Sequence, residues 1–217
     1  MYLPPNFKGS TRDHAVPLIR SHPFASLISL DDGGFPFVSH LPLHLEVHGT
    51  EEDRTADESL VLFGHVAKAN PHWRYLKDRP EALVTFLGPH AYLSPQVYPD
   101  LARVPTWNYL AVHCRVSATL IEEPEAKDAL LKKLIGDHEP RYAAQWRGLD
   151  PAYAHKMLAG IVGFELQVTQ VQCKVKVNQH RPEAYDATRA MYLTGNDHQH
   201  ALAEWMQLVR PIPATQP

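Results

Sequence analysis

The segment Gly163–Val177 reads Gly-Phe-Glu-Leu-Gln-Val-Thr-Gln-Val-Gln-Cys-Lys-Val-Lys-Val and alternates apolar and polar side chains over most of its length. A two-residue period sustained that far belongs to a strand and not to a helix, so it commits the chain to a sheet with one buried face. Trp107–Glu122 reads as a second long strand, with room for a bend. Shorter strands are expected at Phe24–Leu30, Phe35–Leu45, Leu60–His65, Glu81–Leu87 and Ala91–Ser94. Asp31-Asp-Gly-Gly34 turns the first of these into a hairpin. Pro36 and Pro42 place the second near an edge or a bulge, because proline cannot donate to a ladder. Leu60–His65 is apolar enough to be covered on both faces. About seven strands joined mostly by short turns suit a closed antiparallel barrel decorated with helices, of α+β class.

The helices follow from caps and periodicity. Ser10 or Thr11 can cap a short helix reaching about Arg20, interrupted at Pro17. Asn70 as N-cap and Pro71 as first helical residue start another over His72–Leu76. Pro124–Asp137 carries Leu130, Leu131, Leu134 and Ile135 on one face. Further helices are expected at Glu139–Arg147, from Asp150 to near Gly160, at Pro182–Met191 and at Gln199–Val209. Glu46–Ser59 reads as a surface loop and the tail after Arg210 as loose. Residues 1–180 then form the barrel domain with its inserted helices, and 181–217 a helical extension.

Composition narrows the function. No apolar run is long enough for a membrane span, and the N-terminus lacks a basic stretch followed by an apolar one. Two cysteines without neighbouring partners point to a reduced, cytoplasmic protein. The net charge of −3 argues against binding DNA by phosphate neutralisation alone. Fourteen histidines raise the question of a metal, but they are scattered and form no His-Glu-x-x-His pattern, so no metal site is expected. No Gly-x-Gly-x-x-Gly or Gly-x-Ser-x-Gly is present, which leaves neither a Rossmann dinucleotide site nor a nucleophile elbow.

The most unusual stretch is Gly88–Tyr109, with Tyr92, Tyr98, Trp107 and Tyr109 set among Pro89, Pro95, Pro99 and Pro105. Aromatic groups with one polar end suit a flat apolar wall that is wet at its edge. A planar heteroaromatic ligand is one occupant of such a wall; a rigid loop capping the core is the plainer alternative. Gly64-His-Val-Ala-Lys-Ala-Asn-Pro71 ends a strand and opens a helix, with His65, Lys68 and Asn70 inside six positions. That arrangement suits a phosphate, although Asn70 as a simple cap and Lys68 as a solvated cation serve equally. His40, in Ser39-His-Leu-Pro-Leu43, reads as a satisfied rim residue or as a ligand contact. Lys174 and Lys176 share a strand face, and a charged outward edge would look the same.

The segments GPHAYLSP and VPTWNY, together with GHVAKANP upstream, resemble the PaiB family, and the similarity extends from MYLPPNF at the start to KVKVNQHR near Arg181. That family consists of FMN-binding split-barrel proteins described as negative transcriptional regulators. The resemblance implies an antiparallel Greek-key split barrel of six to seven strands and a homodimer with FMN at the subunit interface. FMN requires cations or clustered N–H donors for its phosphate, flat cover for its ring and hydrogen-bond partners for its pyrimidine edge. The resemblance assigns those tasks to His40, His65, Lys68 and Asn70, to Thr106, Trp107, Asn108 and Tyr109, and to Lys174, Lys176, Gln179 and Arg181. The last group matches the family's Lys-x-Lys-x-x-Gln but carries Asn178 and His180 where serine and asparagine are expected. Regulation, with flavin as sensor or structural ligand, is one implied function. An FMN-dependent oxidoreductase acting on a small molecule is another, and a flavin-free descendant that binds haem or another ligand is a third.

Overall fold

A computed structural model of the protein describes residues 1–49, 59–100 and 102–209. Most of the expected surface loop, residues 50–58, and the tail 210–217 lie outside the described residues. In chain order the elements are β1 (Lys8–Gly9), α1 (Val16–Ser21), β2 (Phe24–Leu30), β3 (Pro36–Pro42), β4 (His44–His48), β5 (Ser59–Ala67), α2 (His72–Asp78), β6 (Glu81–Leu93), β7 (Thr106–Ile121), α3 (Pro124–His138), α4 (Ala143–Arg147), α5 (Pro151–Ala159), β8 (Ile161–Lys176), α6 (Tyr185–Tyr192) and α7 (Asp197–Leu208). The strands form one sheet in the order β3-β2-β6-β7-β8-β5-β4, with β1 added beside β8. The fold class is therefore α+β, as expected, but the ladder does not close on itself. Its two ends are β3 and β4, which follow one another in sequence with only Leu43 between them.

The break at Leu43 is the physical reason. Phe35–Leu45 was expected as one strand, yet the Leu43 N–H donates to the Pro23 carbonyl at 3.0 Å instead of to a ladder partner. Pro42, just before it, has no N–H to continue the ladder. The chain then leaves β2, against which Phe24 and Pro42 are paired, and joins β5, where His44 pairs Phe63. β4 runs on to His48, so the surface loop begins later than its charge pattern indicates.

β6 is the second departure. The expected pair of strands on either side of Gly88-Pro89-His90 is one continuous strand. Gly88 permits it: a Cβ there would collide with the Leu18 side chain and come within 3.3 Å of Leu110 Cβ. The glycine marks close packing inside a strand, one of the roles that residue has in sheets.

The residues group into two compact units that do not follow a boundary near residue 180. One comprises Met1–Ser21, Leu87–Val112 and the chain from Gln172 onward; the other comprises His22–Phe86 and His113–Val171. β6, β7 and β8 contribute residues to both. In the second unit, β5 is apolar along its length because both its faces are covered. Leu60 and Leu62 are buried on one side, and Val61 and Phe63 pack on the other against Leu130 and Leu134 of α3. Burying each of those leucines contributes about 1.5–3 kcal/mol. In the first unit, fully buried Leu18, Ile19, Leu110 and Leu202 anchor the core. Asn196 caps α7 in a capping box with Gln199, which starts the helix at Asp197.

Candidate functional site

The twelve residues singled out by sequence fall into two sets, one in each unit.

In the second unit an open groove of about 590 Å³ runs between β3 and the end of β5, and Ser39, His40, His65 and Asn70 line it. His40 stands on the exposed face of β3; its Nδ1 is 3.0 Å from Ser26 Oγ and its ring stacks on Phe24. His65 is different. Burial lowers its pKa, so the ring is neutral at pH 7, and its Nδ1 is buried without a partner. A buried ring nitrogen left unsatisfied carries a cost and is a natural place for a ligand or water hydrogen bond. Lys68 follows β5 with an exposed side chain; its backbone is held at both ends, from its N–H to Gly160 O at 2.8 Å and from Trp73 Nε1 to its carbonyl at 3.0 Å. Asn70 is consumed internally. Its Oδ1 accepts the His72 N–H at 3.0 Å and its Nδ2 donates to Ser39 Oγ at 3.0 Å. The expected helix boundary therefore shifts by one residue, since α2 begins at His72, but Asn70 still supplies the cap.

Behind the groove lies a polar trio that sequence reading did not find. His72 is fully buried, with Nδ1 2.8 Å from Ser39 Oγ and Nε2 3.0 Å from Ser29 Oγ. Desolvation holds its pKa down at about 4. Ser29, Ser39 and His72 come from β2, β3 and α2, so only the fold unites them.

In the first unit the Thr106–Tyr109 segment opens β7. Asn108 is fully buried, whereas Trp107 is 53% exposed and Tyr109 half-buried. Strand alternation thus turns Trp107 and Tyr109 away from the core that Asn108 faces. Trp107 lies 5.7 Å from the His90 ring. Lys176 Nζ donates to Thr106 Oγ1 at 2.6 Å. Lys174 is buried; its ammonium donates to the Tyr2 carbonyl at 3.1 Å and lies 5.1 Å from the Tyr109 ring centre. Among the described residues neither lysine has a carboxylate within ion-pair range, and burial, then the Lys174 charge, pushes the Lys176 pKa down. Two adjacent, partly desolvated ammoniums without a counter-charge are a site for an anion.

Gln179 is not free for a ligand. Its Oε1 accepts the Val177 N–H at 2.9 Å, and its Nε2 donates to Val175 O at 2.6 Å and to Asn6 O at 2.9 Å. It staples the turn after β8. Arg181 is half-exposed, 3.9 Å from Glu183. The departure at Asn178 has a local reason: its φ is 65°, a left-handed conformation that asparagine tolerates better than serine does. Its Oδ1 accepts the Tyr98 hydroxyl at 2.9 Å. Tyr2, Tyr98 and Asn178 thus join this set; Tyr98 had a sequence signal as part of the aromatic stretch and Asn178 as a departure from the lysine motif, whereas Tyr2 had none. Among the described residues no three His, Cys, Asp or Glu side chains converge as metal ligands, and no helix is long and apolar enough to cross a membrane.

Among the described residues, then, a lysine pair without a carboxylate partner lies beside Tyr109 on an α+β sheet whose ladder is open. The chain belongs to the family described as "Putative FMN-binding domain", whose model matches residues 1–170, and within it to the PaiB family. It is 33% identical over 184 residues to protease synthase and sporulation protein PAI 2 of Bacillus subtilis, covering 84% of each chain. Two solved structures share the fold. The conserved hypothetical protein Rv2991 of Mycobacterium tuberculosis matches with a TM-score of 0.55 at 11% identity, over 81% of this chain and 90% of that one. The FAD and heme binding protein of Mycobacterium smegmatis matches with a TM-score of 0.55 at 19% identity, over 78% of this chain and 73% of that one. FMN is the cofactor that the family defines.

Proposed function

We propose that the protein is a cytoplasmic, homodimeric FMN-binding subunit with the flavin at the subunit interface, and that it acts in negative regulation of gene expression with flavin as sensor or structural ligand. The observation that carries the flavin part is the Lys174–Lys176 pair. Its two ammoniums have a backbone carbonyl and a hydroxyl as hydrogen-bond acceptors but no counter-charge among the described residues, which matches the need of a phosphate. The residues present fit the cofactor. Lys174 and Lys176 would hold the phosphate, with Thr106 orienting Lys176. Trp107 and Tyr109 would cover the ring. Gln179, its amide already bonded within the chain, would hold the turn after β8 and leave the cofactor to its neighbours. When bound, FMN supplies electron and hydride chemistry through its ring.

The regulatory part is supported by the 33% identity to a sporulation protein. The acidic balance of −3 means that contact with DNA would depend on a local basic patch or on a partner. The test is DNA binding by purified protein across a salt series, with and without FMN. A sequence-preferring complex at low salt supports regulation, and none counts against it. The competing reading, an FMN-dependent oxidoreductase, is supported by the exposed Trp107 face, which leaves a flat surface open to solvent. Anaerobic addition of NADH or NADPH separates the two: bleaching of the flavin favours the enzyme.

A further inference from the structure

The family match ends at residue 170, and α6 and α7 lie beyond it. α6 nevertheless reaches the segment assigned to the flavin. Its last residue, Tyr192, is fully buried, and the Tyr192 hydroxyl accepts Asn108 Nδ2 at 3.0 Å. Asn108, equally buried, lies between Trp107 and Tyr109 and points the opposite way. Its Oδ1 has no partner among the described residues, and there Tyr192 is the one group that holds this side-chain amide. Burial raises the Tyr192 pKa to about 12, so the phenol stays neutral and remains an acceptor at any physiological pH.

The same helix is buried at a second point. Thr188, one helical turn before Tyr192, is fully buried. The Tyr98 hydroxyl lies near enough for its charge to oppose ionisation of Tyr192, and it bonds Asn178 just beyond the Lys174–Lys176 strand.

We propose that Tyr192 is a positioning residue for Trp107 and Tyr109, which makes α6 part of the cofactor site although it lies outside the family match. The proposal rests on the reading that Trp107 and Tyr109 face FMN. A side chain gripped on the core side of a strand fixes the twist of the residues on either side of it. Removing the phenol oxygen leaves a buried amide with neither end paired, and such a group draws the backbone toward any alternative partner.

The experiment uses the full chain labelled with 5-fluorotryptophan, with the Trp107 fluorine resonance assigned by Trp107→Phe. Tyr192→Phe keeps the ring packing and removes only the oxygen. The expected result is a shifted or broadened Trp107 resonance without FMN and an FMN Kd raised about tenfold. Asn108→Ala cuts the same bond from the other side and is expected to give the same two changes, with the double variant no worse than Asn108→Ala alone. Thr188→Val, on the same face of α6 but without a bond to β7, is expected to leave both readouts in place. An unmoved Trp107 resonance in Tyr192→Phe and Asn108→Ala overturns the proposal, as does an equal response to Thr188→Val. If the unaltered protein takes up no FMN, the flavin reading fails by itself, and the Trp107 resonance still decides whether Tyr192 sets that segment.

Discussion

At the scale of single residues, charge without a counter-charge carries most of the functional reading. If Lys174 and Lys176 hold a phosphate, each removes part of a charge-assisted pair when truncated. Lys174→Met and Lys176→Met keep apolar bulk and are each expected to weaken FMN binding about tenfold or more, since hydrogen bonds to charged groups contribute about 1.5–3 kcal/mol. Equilibrium titration with FMN checks this, and riboflavin, which lacks the phosphate, is expected to bind both variants and the unaltered protein alike. His72 makes a separate prediction about pH. Its folded pKa of about 4 lies below the ordinary histidine value of 6.5. Between those values the unfolded chain takes up a proton that folded His72 refuses, so stability falls as the pH drops from 6.5 toward 4. Denaturant unfolding at a series of pH values measures the slope. His72→Gln is expected to be less stable at pH 7 but to show a shallower fall. Neither His72 with its two serines nor Tyr192 with Asn108 was legible in the sequence, because the bonded partners stand 33, 43 and 84 positions apart. The lysine pair was legible as a pair. Its lack of a carboxylate partner was not, since that depends on what the fold brings near.

At the scale of elements, alternation and caps located most strands and helices, and the misreadings share one cause. One strand was carried through Pro42 and another was broken at Gly88-Pro89, and the fold does the reverse at both places. At Pro42-Leu43 the break is real, because the next N–H turns to Pro23. At Gly88-Pro89 the strand continues, because the glycine is there to admit Leu18 and Leu110. Local sequence does not separate a glycine that ends a strand from one that lets a neighbour approach. Gly88→Ala therefore tests the packing of β6. The new methyl has no room against Leu18, and a loss of about 1–3 kcal/mol is expected, as for overpacked cores. Leu18→Ala in the same chain should recover part of it, and thermal unfolding of the single and double variants measures both. A Gly88→Ala protein as stable as the parent would mean that Leu18 moves aside freely.

At the scale of the whole molecule, the sequence pointed to an α+β split barrel that binds FMN, and the family match and the fold agree with that. The ladder itself proved open between β3 and β4, and two compact units interleave along the chain. Such interleaving is invisible to a reading along the sequence, because β6, β7 and β8 each carry residues of both units. Dimerisation and cofactor binding meet in one quantity, the mass of the species that carries the flavin. Sedimentation velocity of the purified chain with added FMN, followed both in the protein band and in the visible flavin band, measures it directly. The expected result is flavin absorbance moving with a species of twice the chain mass, at one flavin per chain, and lost from that species when both Lys174 and Lys176 are replaced by methionine. Flavin left at the meniscus while the unaltered protein sediments colourless would contradict it.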